Sequence, residues 1–289
     1  MKNNITIIIL IYQENINVIY KCLQQLKDYK IIIIDNDGNV SRKEIIQKNF
    51  KIDKFHLNNK NLGFSKAINI GIKNCTTDYL LILNPDCLIS EYSINILLEK
   101  LNKYKDCFMT TPTLFTNDKQ IAQNLSLFPE SGILKSPTYI EGDVCCQSIL
   151  AAAMFCRTKD IKEIGMFDEN FFLFFEDDDL CRRINNFKKS IIQILEATAI
   201  HQHGEGKSIK NSIKRTFIIN FNMTYSELYY YFKINNHYKK FSLLKKKIPK
   251  YIIKSIVNLL LLRLKKSVYF VSKILAFIKF YFFLNKNKK

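Results

Sequence analysis

The sequence has eight cysteines, at 22, 75, 87, 107, 145, 146, 156 and 181, yet no C-x-x-C pair. A zinc site of the paired-cysteine type is therefore not indicated. Several of these cysteines sit in apolar runs, where a free thiol behaves as a small hydrophobe. Acid is absent from residue 239 onward, where 15 Lys and Arg stand with no Asp or Glu. The remainder carries 29 basic against 26 acidic residues and is close to neutral, so the excess charge belongs to the tail. That distribution argues against the whole chain being a nucleic-acid binder. Long uncharged stretches are missing from the tail too; the longest is residues 255–262. A membrane span needs about 20 mainly apolar residues, so none is expected there. No secretory leader is expected either, because the apolar stretch Ile5–Ile11 is too short for one and no small-residue cleavage site follows. A reducing, cytosolic setting is the simplest expectation.

A hydrophobic fraction of 47% supports a real core and excludes general disorder. Over the first hundred residues, β-branched runs alternate with helical patterns. Ile5–Ile11, residues 31–34 and Tyr79–Leu83 read as buried strands. Residues 18–26 and 66–73 read as helices. Apolar strands alternating with helices imply a mainly parallel α/β sheet covered on both faces, which binds ligands at the carboxyl ends of its strands. Asp35 and Asp86 lie at such ends, although both also fit ordinary polar turns. Residues 112–142 hold Pro112, Pro129, Gly132, Pro137 and Gly142 and read as loops. Ala151, Ala152 and Ala153 are small enough for close packing beneath a pocket. Residues 191–200 read as a further strand. The expected division is a catalytic domain over 1–210 and a basic helical extension over 211–289.

Three groups of residues have chemical potential. Glu176, Asp177, Asp178 and Asp179 follow five apolar residues, 171–175. Mutual repulsion and an aromatic flank raise carboxylate pKa values. A helix beginning near Leu180 would relieve the repulsion, so the cluster reads either as a helix cap or as an active site. His201 and His203 end a strand with both imidazoles on one face, or are surface histidines. Gly206, Lys207 and Ser208 do not complete a P-loop, because position 201 is histidine rather than glycine. Gly63 before a helix permits close backbone approach to a diphosphate.

Taken in order, Ile33-Ile34-Asp35-Asn36, then Asn61-Leu62-Gly63-Phe64 with Asn69, then Leu83-Asn84-Pro85-Asp86, and finally Gly165 to Glu169 with Phe175 to Leu180, resemble the family 2 glycosyltransferases of GT-A fold. The closest resemblance is to their rhamnosyltransferase-like branch. It covers roughly residues 5 to 208. The resemblance implies that Asp35 accepts the imide N–H of uracil or thymine, and that Asn36, Asn61, Gly63, Asn69 and Asn84 lie along the nucleotide sugar. It implies that Asp86 and His201 hold a divalent metal, Mg or Mn, on the donor diphosphate, and that this metal neutralises the leaving group. It makes Asp177 the general base toward an acceptor hydroxyl, with Glu176 and Asp179 as supports, for example toward Arg182 or Arg183. Asp178 receives no role.

The aromatic-Asn pair usual after the first strand of this family is Tyr12-Gln13 here. The metal motif holds one carboxylate, and its asparagine is a weaker ligand for a hard cation. The expected partners are a UDP- or dTDP-sugar, with rhamnose the best single match, a saccharide or lipid-linked acceptor, and an anionic membrane surface beneath the basic tail. No nucleic acid is expected. The tail also reads as a helical bundle with a solvated lysine face. A sugar nucleotidyltransferase is the enzymatic alternative, but it needs a glycine-rich N-terminal loop and residues 5–15 hold no glycine. The non-enzymatic alternative is a membrane or nucleic-acid binding protein driven by the tail alone.

Overall fold

The structure is a computed structural model that describes residues 2–122, 125–131, 141–202, 212–235 and 237–287. Its first half runs β1 (Ile5–Ile11), α1 (Ile16–Gln24), β2 (Lys30–Asp35), α2 (Val40–Asn49), β3 (Lys54–Leu57), α3 (Phe64–Asn74), β4 (Tyr79–Leu83), β5 (Cys87–Ile89) and α4 (Glu91–Lys103). There follow β6 (Cys107–Phe115), β7 (Leu125–Ser126), β8 (Val144–Cys145), β9 (Ser148–Ile149), β10 (Ala153–Arg157), α5 (Thr158–Glu163), α6 (Glu176–Asn186) and β11 (Ser190–His201). The main sheet has the order β3-β2-β1-β4-β10-β6-β11-β5, with β8 beside β11. Strands β1 to β4 pair in parallel, β10 runs antiparallel between β4 and β6, and β6 and β11 are parallel.

Alternation along each strand sorts its side chains into two layers. Ile7, Ile9, Ile31, Ile33 and Leu81 pack with Ile19 and Leu23 of α1 and Leu97 of α4. Ile8, Ile32, Leu80 and Ile82 pack with Ile68 and Ile72 of α3 and Leu180 and Ile184 of α6. Burial on both faces is why β1 and β4 read as nearly continuous apolar runs. Two expectations change. Residues 112–115 continue β6 rather than starting a loop. Pro112 is tolerated there because the β10 ladder stops at Thr110 and β11 bulges between Ile194 and Thr198. The helix expected near Leu180 starts at Glu176, so all four acids lie within its first turn. Gly132, Pro137, His203 and the 206–208 segment lie outside the described residues.

The chain divides into two compact units, Met1–Glu169 with Asp177–Ser208, and Asn170–Glu176 with Ile209–Lys289. The second unit contains α7 (Ile213–Lys233), α8 (His237–Leu260) and α9 (Leu264–Lys286). Segment 170–176 packs with these helices. Phe171 meets Tyr229 edge-on at 4.9 Å, and the Ser226 hydroxyl donates to the Leu173 carbonyl at 2.9 Å. Phe174 and Phe175 take φ values of +71° and +66°, a strained conformation for bulky residues; Phe175, half-buried, packs against this aromatic cluster. Helix α9 has 23 residues and a stretch of mean hydropathy 1.6, long and apolar enough to cross a membrane by length and composition. Counting uncharged runs misses it, because Lys273 and Lys279 interrupt the run without making the stretch polar.

Candidate active site

The carboxyl ends of β2, β1 and β4 stand side by side, with Asp35 level with Ile11 and Leu83 level with Ile9. At a strand spacing of roughly 4.8 Å, the ends of β2 and β4 are about 10 Å apart. Three sets of side chains rise from this edge and from α6.

The first set is built on Asp35 and Asn36. Asp35 is fully buried; its Oδ1 accepts from the backbone N–H groups of Asp37 and Gly38, each at 3.0 Å. Its Oδ2 lies 3.5 Å from the Arg42 guanidinium, which forks onto both carboxylate oxygens of Asp37 at 2.9 and 2.8 Å. Burial, reinforced by the hydrogen-bonded Asp37 carboxyl, pushes Asp35 up to about 6 against the backbone N–H and Arg42. Asn36 spends its whole amide on the following loop. Its Nδ2 donates to Asn61 Oδ1 at 2.9 Å and to the Gly63 carbonyl at 3.2 Å. Its Oδ1 accepts from Asn58 Nδ2 at 3.1 Å and Leu62 N at 3.0 Å. Asn61 Oδ1 also accepts from Gly63 N, and Gly63 caps α3 at φ +82°, a conformation that suits glycine. Asn36, Asn61 and Gly63 thus form one hydrogen-bonded platform beside Asp35.

The second set is Asp86 and His201. Antiparallel pairing of β5 with β11 puts Cys87 opposite His201, and Gln202 N–H donates to the Asp86 carbonyl at 2.8 Å. The ladder brings His201 Nε2 to 3.3 Å from Asp86 Oδ1, with the imidazole buried. A carboxylate and an imidazole this close suit two ligands of one cation. No group of three His, Cys, Asp or Glu side chains suited to a metal occurs among the described residues. An ion held here would therefore draw its other ligands from substrate oxygens or water, the usual arrangement for Mg²⁺ on phosphates.

The third set is the first turn of α6. Asp177 Oδ2 accepts the Ala151 N–H at 3.0 Å, while its buried Oδ1 accepts no hydrogen bond among the described residues. Burial, with a contribution from Asp178, pushes Asp177 up to about 7 despite the Ala151 bond. Asp178 accepts the Ser148 hydroxyl at 2.7 Å. Asp179 pairs with Arg183 at 2.9 Å, and the rest of that guanidinium donates to the Ile164 and Met166 carbonyls. Arg182 pairs with Glu130 and stacks over Phe128. Glu176 is buried and belongs to the second unit.

Backbone joins the last two sets. Asn84 N–H donates to the Ala152 carbonyl at 2.9 Å, and the neighbouring Ala151 N–H holds Asp177. Asn69 stands apart from the platform. Its Nδ2 donates to the Phe167 carbonyl at 2.8 Å and its Oδ1 accepts the Phe167 N–H at 3.1 Å. Its polar atoms thus pin the Gly165–Glu169 turn rather than face a ligand. At the end of β1, Tyr12 N–H donates to the Glu14 carboxylate and Gln13 has φ +62°.

Sequence reading missed Arg42, Asn58, Ser148 and the Ala151 N–H. Arg42 left one signal: a cation in the first turn of a helix opposes the helix dipole and calls for an acidic partner.

The model for glycosyl transferase family 2 matches residues 6–157. The chain is 25% identical over 222 residues to dTDP-rhamnosyl transferase RfbF of Shigella flexneri, covering 73% of this chain and 72% of that one. It is 24% identical over 205 residues to rhamnosyltransferase WbbL of Escherichia coli K12, covering 62% and 76%. Among solved structures, the mannosyltransferase PcManGT of Pyrobaculum calidifontis, in complex with GDP-Man and Mn²⁺, aligns over 96% of this chain and 87% of its own at TM-score 0.56 and 9% identity. GalNAc-T7 with UDP, GalNAc and Mn²⁺ aligns over 79% of this chain and only half of its own, at TM-score 0.56 and 13% identity. These two likenesses bear on the fold, which is of GT-A type. With its family model spanning more than half of the sequence, the chain belongs to glycosyltransferase family 2 and is a glycosyltransferase.

Proposed function

We propose that the enzyme transfers a sugar from a UDP- or dTDP-sugar, with dTDP-rhamnose the best single match, to a saccharide or lipid-linked acceptor in surface polysaccharide assembly, with inversion at the anomeric carbon. The carrying observation is the Asp177 carboxylate: one oxygen is fixed by a backbone N–H and the other is buried with no hydrogen bond among the described residues. A base held in this way can take the proton of an acceptor hydroxyl as that oxygen attacks. Asp35 accepts the imide N–H of the donor base, and the platform of Asn36, Asn61 and Gly63 positions the loop along the nucleotide. Asn84 sets the turn that presents Asp86. Asp86 and His201 hold Mg²⁺ or Mn²⁺, which when bound neutralises charge on the leaving nucleoside diphosphate. Glu176 and Asp179 support the base, Asp179 through Arg183. The catalytic unit is residues 1–210, and the basic extension, 211–289, places the site at the cytoplasmic face of an anionic membrane. What supports the donor is likeness to two rhamnosyltransferases.

The test is a panel of UDP-, dTDP- and GDP-sugars with Mg²⁺, Mn²⁺ or chelator, reading nucleoside diphosphate release and the anomeric configuration of the product. Release from a pyrimidine nucleotide sugar, dependent on metal and weakened by His201→Ala, is expected. No release from any donor with any metal refutes the proposal. A retained anomeric configuration refutes Asp177 as a base acting in a single displacement.

A further inference from the structure

The turn end of the α8–α9 hairpin is built inside out. Near its turn the two helices meet through Ser255 and Ser267, whose hydroxyls lie 3.0 Å apart, with the Ser267 hydroxyl donating to the Ser255 carbonyl at 2.9 Å. Both serines are buried. Around them Ile256, Leu259, Leu260, Leu261, Leu262 and Leu264 all face outward, and Leu260 and Leu262 are 77% and 84% exposed. Water favours the opposite arrangement, with leucine inside and serine outside. Hydrocarbon favours this one: lipid tails solvate leucine, while small residues and hydroxyl hydrogen bonds join the helices. Further along α9, Ser272 and Ala276 continue the small inner face. Arg263, Lys265 and Lys266 flank the leucines, and no acid occurs from residue 239 onward.

We propose that this turn, residues 256–264, enters an anionic lipid bilayer tip first and shallowly. The leucines sit at the acyl boundary, while Arg263, Lys265 and Lys266 reach back to the lipid phosphates. The inference rests on the membrane reading of the extension given above and adds where and how the contact is made. It also decides against α9 as a span. One face of α9, including Ala276 and Phe280, is buried within its own unit. Lys273 sits 4.5 Å over the Tyr269 ring and Lys279 sits 4.2 Å over the Tyr225 ring, so both mid-helix cations are engaged within the helical unit.

The chain contains no tryptophan, so a single introduced indole reports position without background. Leu262→Trp, Leu275→Trp and Phe282→Trp would each be made in the full chain. They would be mixed with phosphatidylcholine vesicles with or without phosphatidylglycerol, carrying brominated lipids of graded depth. With the anionic vesicles, Leu262→Trp is expected to shift to the blue and to be quenched most by bromines near the headgroup. Phe282→Trp is expected to keep its water-exposed emission. The double variant Leu260→Asn/Leu262→Asn is expected to partition at least tenfold less. Co-sedimentation with Leu262→Trp unquenched leaves the membrane reading standing and overturns tip insertion. Equal quenching at 262 and 282 means a hairpin lying flat, and deepest quenching at 275 means a span; either overturns the proposal. A blue shift that grows with protein concentration without vesicles identifies a second copy of the chain as the occupant and overturns it too. No co-sedimentation with anionic vesicles fails the membrane reading itself, and the proposal with it.

Discussion

Replacing Asp177 by Asn separates the two readings that the acidic cluster allows. If Asp177 only caps α6, its charge favours the helix dipole by about 0.3–1 kcal/mol, and removing it destabilises the fold. If burial dominates, the sign reverses. Asp177 is pushed from the ordinary carboxylate value up to about 7, so the folded state prefers its protonated form. Between those two values the unfolded chain ionises freely while the folded chain must keep its proton. Stability tied to this group is therefore present below the ordinary carboxylate value and is lost as pH rises to about 7, after which the penalty is constant. The full interval corresponds to on the order of 4 kcal/mol. Relaxation of the surroundings around the charged form reduces the net effect to ~1–2 kcal/mol. Asn removes the penalty and can still accept the Ala151 N–H. The variant should therefore melt about 2–6 °C higher than the wild type at pH 8. The gain should vanish near pH 4. Transferase turnover should fall by about 10²- to 10⁴-fold, since the proton acceptor is gone. Thermal unfolding from pH 4 to 8, run beside the donor assay, reads both. Near-normal turnover, or a lower melting temperature at pH 8, would refute the reasoning.

Other perturbations have definite signs. Asp35 is pushed up to about 6, so its ionised form grows through that pH; donor KM should fall between pH 5 and 7, and Asp35→Asn should abolish that dependence as read by initial rates. Asn69→Ala leaves the buried N–H and carbonyl of Phe167 unsatisfied and should cost about 2–4 kcal/mol in urea unfolding. Gly38 has φ +66°, and a Cβ there would stand 2.8 Å from the Asn58 carbonyl oxygen. Gly38→Ala should therefore cost roughly 1–3 kcal/mol and raise donor KM by loosening the 58–63 loop.

Elements buried on both sides were legible where apolar residues fill them almost throughout; β1 and β4 have the boundaries their runs suggest. Elements that bury little gave no such pattern. Helix α2 buries only Arg42 and Ile46, so it shows no apolar stripe. Strand β3 forms one edge of the sheet and buries nothing fully. Strand β6 hides its character in threonines: Thr110, Thr111 and Thr113 are buried and donate to the carbonyls of Leu97, Ala153 and Ile194. With Pro112 among them, that stretch reads as loop. Polar residues at strand ends were visible as candidates, but sequence could not distinguish those that face outward from those that hold the fold. Asn36 and Asn69 look alike in sequence, yet Asn36 organises the loop beside Asp35 while Asn69 clamps the turn at Phe167.

The link between Asn84 and Asp177 is of a kind that sequence does not display. It runs through the backbone of two consecutive residues, Ala151 and Ala152, so the only trace it leaves on residue choice is size. Ala151 and Ala152 are both buried, and a larger side chain at either would push the backbone away from one partner. This has a mechanical consequence for the proposed chemistry. The turn presenting Asp86 and the carboxylate of Asp177 are referenced to the same lead-in to β10, itself clamped between β4 and β6. Ligand position and base position therefore shift together or not at all. Proximity effects depend on holding reacting groups to within about an ångström, and a shared backbone reference is a cheaper way to do that than two independently packed side chains.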